Sequence, residues 1–134
     1  MVDEAHGAHY YFDEKGPVSA MKAGADMASV SFHKTGGSLT QTSVLLVNSE
    51  KYQRFAVQKT LNILNTTSPS TILMASLDAA RKYAALEGQK NMNNVREISE
   101  YARREIAKIE GFVPCSKEHF LQKGCYDYDI TKLV

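Results

Sequence analysis

The sequence predicts an α/β fold, and three observations predict it. Ala25–Phe32 alternates, with Met27, Ser29 and Ser31 facing one way and Ala28, Val30 and Phe32 the other, the period of a half-buried strand. Thr42–Val47 is rich in β-branched residues and reads as a second strand. Beyond residue 70 the period changes. Leu73, Leu77, Ala80 and Ala84 recur at helical spacing and form one apolar stripe.

The remaining elements follow from local signals. Met1–Val2 reads as the last step of a strand, and Asp3–Gly16 as a loop with aromatic content at Tyr10, Tyr11 and Phe12. Pro17–Ala23 suits a short helix, with proline in its first turn and Gly24 as its stop. His33–Thr40, with Gly36-Gly37, reads as a loop. Ser49 followed by Glu50 suits the start of a helix running to about Leu64. Thr66–Ser70 is a loop by composition. The helix after it is expected to stop at Gly88. A third helix places Val95, Ile98, Ala102, Ile106 and Ile109 on an apolar face that ends at Gly111. Its charged face (Arg96, Glu97, Glu100, Arg103, Arg104, Lys108) reads as a solvated surface. After a break at Pro114, Thr131–Val134 reads as a strand beginning. A chain that enters at the end of one strand and leaves inside another reads as an internal segment of a longer protein.

Composition narrows the function classes. The formal net charge is +1 and no run of Lys or Arg occurs, so neither nucleic acid nor another polyanion is an expected partner. Apolar runs are only a few residues long, too short to span a membrane. The opening residues lack the basic start and apolar middle of an export signal. With Cys115 and Cys125 as the only cysteines, this points to a reducing cytoplasm and free thiols, although a disulfide between them stays open.

Two clusters carry reactive side chains: Asp3-Glu-Ala-His-Gly-Ala-His9 and Ser31-Phe-His-Lys-Thr35. Both sit where a strand hands over to a loop, and α/β sheets bind ligands at the carboxyl ends of their strands. An acid at one strand end and a lysine at the next can therefore face one ligand. Pyridoxal phosphate needs such a set: a lysine for its aldehyde, an acid for its pyridine nitrogen, and hydroxyl or N–H donors for its phosphate. Asp3, Lys34, Ser31 and His33 carry those groups.

The ordered motifs resemble one family. Val2-Asp-Glu-Ala-His-Gly-Ala-His9, Gly24-Ala-Asp26, Ser31-Phe-His-Lys-Thr35, Leu39-Thr-Gln-Thr-Ser43 and Thr66-Thr-Ser-Pro-Ser70, leading to Met74-Ala-Ser-Leu-Asp78, are similar to the ornithine/lysine/arginine decarboxylases. Those are pyridoxal-phosphate enzymes of the aspartate-aminotransferase fold type (fold type I). Within the family the chain looks most like the bacterial arginine decarboxylase branch.

The resemblance implies part of a large three-layer α/β/α cofactor-binding domain over residues 1–90, a connecting helix over 91–111, and the start of a small C-terminal domain over 112–134. It implies decarboxylation of a basic amino acid to an amine of polyamine biosynthesis and CO2. Lys34 would hold the cofactor as a Schiff base. Asp3 would pair with the pyridinium nitrogen, and Ala5 would pack on the ring. Ser31 and His33 would lie beside the phosphate. His6 would sit near the reacting carbon. Thr67 and Ser68 would approach the phosphate from the partner subunit of a homodimer. Groups that bind phosphate upstream of Asp3 in the family have no counterpart in these residues, so the 134-residue chain alone is expected to be inactive.

Other readings compete. A loop lysine is usually a surface lysine. Asp3 could be a strand-end cap, and Ser31 and His33 structural groups. Asp3-Glu-Ala-His6 also matches the metal-binding motif of a helicase class, but no Gly-x-x-x-x-Gly-Lys-Ser/Thr segment accompanies it. A zinc site from His6, His9, Cys115 and Cys125 lacks the usual ligand spacings.

Overall fold

The alternation in the second motif builds the centre of the molecule. In the computed structural model, which describes residues 1–48 and 52–134, β2 (Met27–Val30) lies between β1 (Val2–Asp3) and β3 (Val44–Val47). β1 pairs with β2 in parallel, Val2 opposite Ala28 and Asp3 opposite Ser29. β3 pairs with β2 antiparallel, from Met27 opposite Val47 to Val30 opposite Val44. Ala28 and Val30 are fully buried, as the alternation requires, and form the core with Ala8, Ala20, Phe32 and Ala80.

The strand is shorter than expected. It ends at Val30, and Phe32–Thr35 forms a single helical turn, α1, where a loop was expected. Pro17–Ala23 is not a helix. One turn closes there through Ala23 N to Ser19 O and Ala25 N to Ala20 O, and Gly24 ends it at φ +89°. Within Asp3–Gly16, Ala8–Phe12 winds into a 3-10 helix. The expected helix start at Ser49-Glu50 lies outside the described residues; α2 is described from Arg54 to Leu64, and its end before Asn65 is as expected. Thr131–Val134 is not a strand.

The largest difference concerns the third quarter of the chain. Thr71–Ile106 is one helix of 36 residues, α3, so Gly88 is not a stop and residues 90 and 91 fall in mid-helix. Gly88 continues the stripe of Leu73, Leu77, Ala80 and Ala84, four residues further on. It is buried against the 3-10 helix: a Cβ there would lie 2.8 Å from Cβ of Phe12 and 3.2 Å from its carbonyl oxygen. Glycine is present for close approach rather than for termination.

That contact also sets the phase of the second half of α3. Arg96, Ser99 and Arg103 turn inward, whereas Ile98 and Ile109, expected on the packed face, are 66% and 54% exposed. The inward arginines are satisfied. Arg96 forms an ion pair with the buried Asp13 carboxylate. Arg103 donates to the carbonyls of Ile130 (2.6 Å) and Lys132, and so ties the C-terminal stretch onto the helix. α4 (Lys117–Gln122), capped by the Ser116 hydroxyl, packs Phe120 flat against Tyr128 with ring centres 4.2 Å apart.

Gly88→Ala tests this packing against intrinsic propensity. In an isolated helix the change favours folding by about 1 kcal/mol. Here the methyl group meets Phe12, and overpacking costs about 1–3 kcal/mol. A lowered thermal midpoint is therefore expected, and it should persist when Phe12 is also shortened to alanine, because the atoms met, the Cβ and carbonyl oxygen of residue 12, remain.

Candidate functional site

Because β1 and β2 are parallel, their carboxyl ends lie on the same edge of the sheet. Asp3 closes β1 beside Ser29, and Glu4 N continues the ladder to Ser29 O at 2.9 Å. At the neighbouring end, Ser31 leads β2 into α1, whose third residue is Lys34. The two strand ends and the 3-10 helix enclose an open cleft of about 470 Å³ lined by Asp3, Glu4, Ala5, His6, Gly7, Tyr10 and Lys34. Four residues singled out in the sequence (Asp3, Ala5, His6 and Lys34) thus share one cleft.

Asp3 Oδ1 accepts from the Ala5 amide at 3.0 Å, so one carboxylate oxygen is spent on shaping its own loop. Among the described residues, no hydrogen bond or ion pair engages Oδ2, nor Lys34 Nζ. Ser31 caps α1 without using its hydroxyl. His33 is held by the backbone: its Nδ1 lies 2.8 Å from Thr42 O, which accepts the proton and directs Nε2 elsewhere. Neither Ser31 nor His33 lines the cleft itself. Beside Lys34, the buried Thr35 hydroxyl has no partner among the described residues. Thr67 and Ser68 stand apart, exposed on the loop between α2 and α3 and outside the cleft.

Several structural groups escaped sequence reasoning. Glu4 is a brace: Oε2 accepts from Tyr11 Oη at 2.6 Å and Oε1 from Ala20 N at 2.8 Å. Burial and the Glu4 carboxylate push the Tyr11 phenol up to about 12. His9 is committed to a buried pair with Asp129, Nε2 to Oδ2 at 2.9 Å, across 120 residues of sequence. Burial alone would raise the Asp129 carboxyl. Hydrogen bonds from His9 and from the Thr131 hydroxyl and amide outweigh it and hold Asp129 well below the usual carboxylate range. Among the described residues, no three His, Cys, Asp or Glu side chains converge as a metal site, and Cys115 and Cys125 are free thiols. Nor is any helix long and apolar enough to cross a membrane. Only the strand-end position of Asp-Glu-Ala-His hinted at the Glu4 brace; nothing local signals a partner 120 residues away.

The donor set fits pyridoxal phosphate in kind. Among the described residues, a carboxylate with one uncommitted oxygen and an amine with no partner line one cleft, and the Ser31 hydroxyl does not cap the adjoining helical turn. The volume is that of a small-molecule site.

The acid and the amine thus converge at the carboxyl ends of neighbouring strands, the edge at which α/β sheets bind ligands. Comparison with known proteins is more specific. Residues 1–132 match the family described as Orn/Lys/Arg decarboxylase, major domain. The whole chain is 47% identical to an arginine decarboxylase of Halalkalibacterium halodurans and 44% identical to one of Bacillus subtilis, covering 27% of each. It is 45% identical to an arginine decarboxylase of Bacillus cereus, covering 29% of it. The chain belongs to the Orn/Lys/Arg decarboxylase family, and it spans about a quarter of the length of these curated relatives. Asp3-Glu-Ala-His6 is therefore a decarboxylase motif here, not the helicase one.

Asp129 makes acid stability the readout of the buried pair. A carboxyl whose folded value is depressed stabilises the protein above its unfolded value, 3.8, and this contribution is lost as pH falls through the folded value. Below about pH 4 the C-terminal stretch is expected to loosen from the 3-10 helix. Asp129→Asn should destabilise the protein at pH 7 and flatten its pH dependence between pH 5 and pH 2, as checked by denaturant unfolding at each pH.

Proposed function

We propose that this chain supplies the acid and the lysine of a pyridoxal-phosphate-dependent decarboxylase that converts a basic amino acid to the corresponding amine of polyamine biosynthesis and CO2. The observation that carries the reading is the shared cleft of Asp3 and Lys34 within a chain of this family. Arginine is favoured over lysine and ornithine as substrate, because the relatives named above are arginine decarboxylases.

The residues divide the work. Lys34 would hold the cofactor's aldehyde through its amine. Asp3, braced at Oδ1 by Ala5 N, would hold a proton at the ring nitrogen with its other oxygen. Ala5 would pack against the ring, and His6 would serve the reacting carbon. Ser31 and His33 would serve the phosphate. When bound, the cofactor supplies an electron sink for the pair left on the α-carbon as CO2 departs.

Thr67 and Ser68, exposed and outside this cleft, suit a loop that completes the phosphate site of a second subunit in a homodimer. The division into cofactor domain (1–90), connecting helix (91–111) and small-domain start (112–134), and a cytoplasmic setting, belong to the same reading. Because the chain spans about a quarter of its relatives, residues 1–134 by themselves are read as inactive, with the activity residing in a full-length enzyme.

Asp3→Ala tests the division of labour. In the full-length enzyme the variant is expected to retain the cofactor on Lys34 yet lose about 10²–10³ in kcat, the usual effect of removing a preorganised charge from the transition state. Near-normal turnover with arginine, measured as CO2 release, would mean that another group serves the ring nitrogen.

A further inference from the structure

The loop that forms one wall of the cleft runs from Glu4 to Phe12, and three anchors hold it. Two are nearer in the sequence: Glu4 to Tyr11 and Ala20, and Asp13 to Arg96 in the second half of α3. The third comes from the far end of the chain. Asp129 uses both carboxylate oxygens. Oδ1 accepts from the Thr131 amide (3.0 Å) and hydroxyl (2.7 Å). Oδ2 accepts from His9 Nε2 (2.9 Å) and from Tyr10 Oη (3.4 Å). Lys132 Nζ stands 3.9 Å from the same oxygen. The stretch carrying Asp129 is itself fastened to α3, because Arg103 donates to two carbonyls just after it, Ile130 O and Lys132 O.

Tyr10 is the point at which this anchor reaches the cleft. It lines the same cavity as Lys34 and Asp3, while its hydroxyl is turned to Asp129. Its ring leaves no room to slide. A Cβ on Gly7 would lie 2.9 Å from Tyr10 Cδ2, so the ring is already against the backbone of the loop that follows Asp3. The His9 ring meets Tyr10 edge-on, with centroids 4.5 Å apart, and fixes the other side. An ionised Asp129 can only accept, so His9 must donate from Nε2, and its buried Nδ1 has no partner among the described residues. Leaving a buried polar atom unsatisfied is costly, and the Asp129 contacts to His9 and Tyr10 work against that cost.

We propose that Asp129 is a positioning residue for the cleft, acting through Tyr10 and His9, so that the C-terminal stretch 128–132 sets the wall against which the Lys34-bound ligand packs. The proposal rests on the functional reading above for what the ligand is, but not for the coupling itself. Asp129 touches no ligand. Its effect passes through the Tyr10 hydroxyl, which holds the ring at one depth in the cleft. The ligand class that feels this wall is a planar cofactor carrying an amino acid, because Tyr10 shares the cavity with both the acid and the amine.

A double-mutant cycle in the full-length enzyme tests it. Tyr10→Phe removes one hydroxyl and keeps the ring. Asp129→Asn keeps the size and removes the charge that accepts from two neighbours. Each single variant is expected to weaken cofactor retention about tenfold, read as the dissociation constant from the visible absorbance. The double variant should be no weaker than Asp129→Asn alone, because contacting residues are non-additive. Strictly additive losses, or no loss in Asp129→Asn, would overturn the proposal.

Amide hydrogen exchange gives a readout that needs no cofactor. Asp129→Asn should lose protection across residues 7–12 while the middle of α3 keeps it. Unchanged protection at 7–12 would overturn the coupling even if the enzyme binds cofactor normally. A wild-type enzyme with no cofactor absorbance would instead contradict the functional reading, and the exchange data would still decide the coupling.

Discussion

The parallel pairing of β1 with β2 is the constraint on which the candidate site depends. Only Val2 and Asp3 take part on the β1 side, yet their register opposite Ala28 and Ser29 puts a carboxylate and a lysine at one edge. A shift of one residue would turn Asp3 to the other face of the sheet. A ladder this short does not hold itself. Its continuation, Glu4 N to Ser29 O, is followed by a loop braced by Glu4, by Asp13 with Arg96 and by His9 with Asp129. The geometry of the cleft is thus imposed from outside the sheet, chiefly by α3 and by the stretch that α3 holds in place.

Sequence and structure agree where the cause is local. The alternation of Ala28 and Val30 reports a face buried against one core, and Gly24 closes the turn before it. The convergence of Asp3 with Lys34 was legible because strand ends in α/β sheets share an edge. They part where the cause is distant. Gly88 carries the same local signal whether it ends a helix or admits a neighbour, and the neighbour, Phe12, lies 76 positions away by subtraction of their numbers. Once that contact fixes the rotation of α3, Arg96 and Arg103 face inward, although a helical wheel assigns them to water. Their partners, Asp13 and the carbonyls of Ile130 and Lys132, leave no periodic trace. The same holds for Asp129, which looks like any acid in a polar tail until His9 is brought beside it.

The packing leaves much apolar surface uncovered. The core is small and built largely of alanine, whereas Phe55, Ile63, Leu64, Ile72 and Leu86 are each more than 70% exposed. α2 contributes no buried residue. Apolar surface on that scale fits a segment whose helices pack against further structure, and it accords with a match to about a quarter of each curated relative. A polar network joins the 3-10 helix, α3 and residues 128–132 beside the cleft wall.

Lys34, rather than another lysine near the sheet, is proposed to carry the cofactor opposite Asp3. Borohydride reduction of the full-length holoenzyme fixes the cofactor to its lysine, and peptide mapping by mass spectrometry then identifies the residue. A single pyridoxyl label on Lys34 is expected, absent in Lys34→Ala together with the visible absorbance. A label on Lys15 or Lys22, or a labelled Lys34→Ala variant, would contradict it.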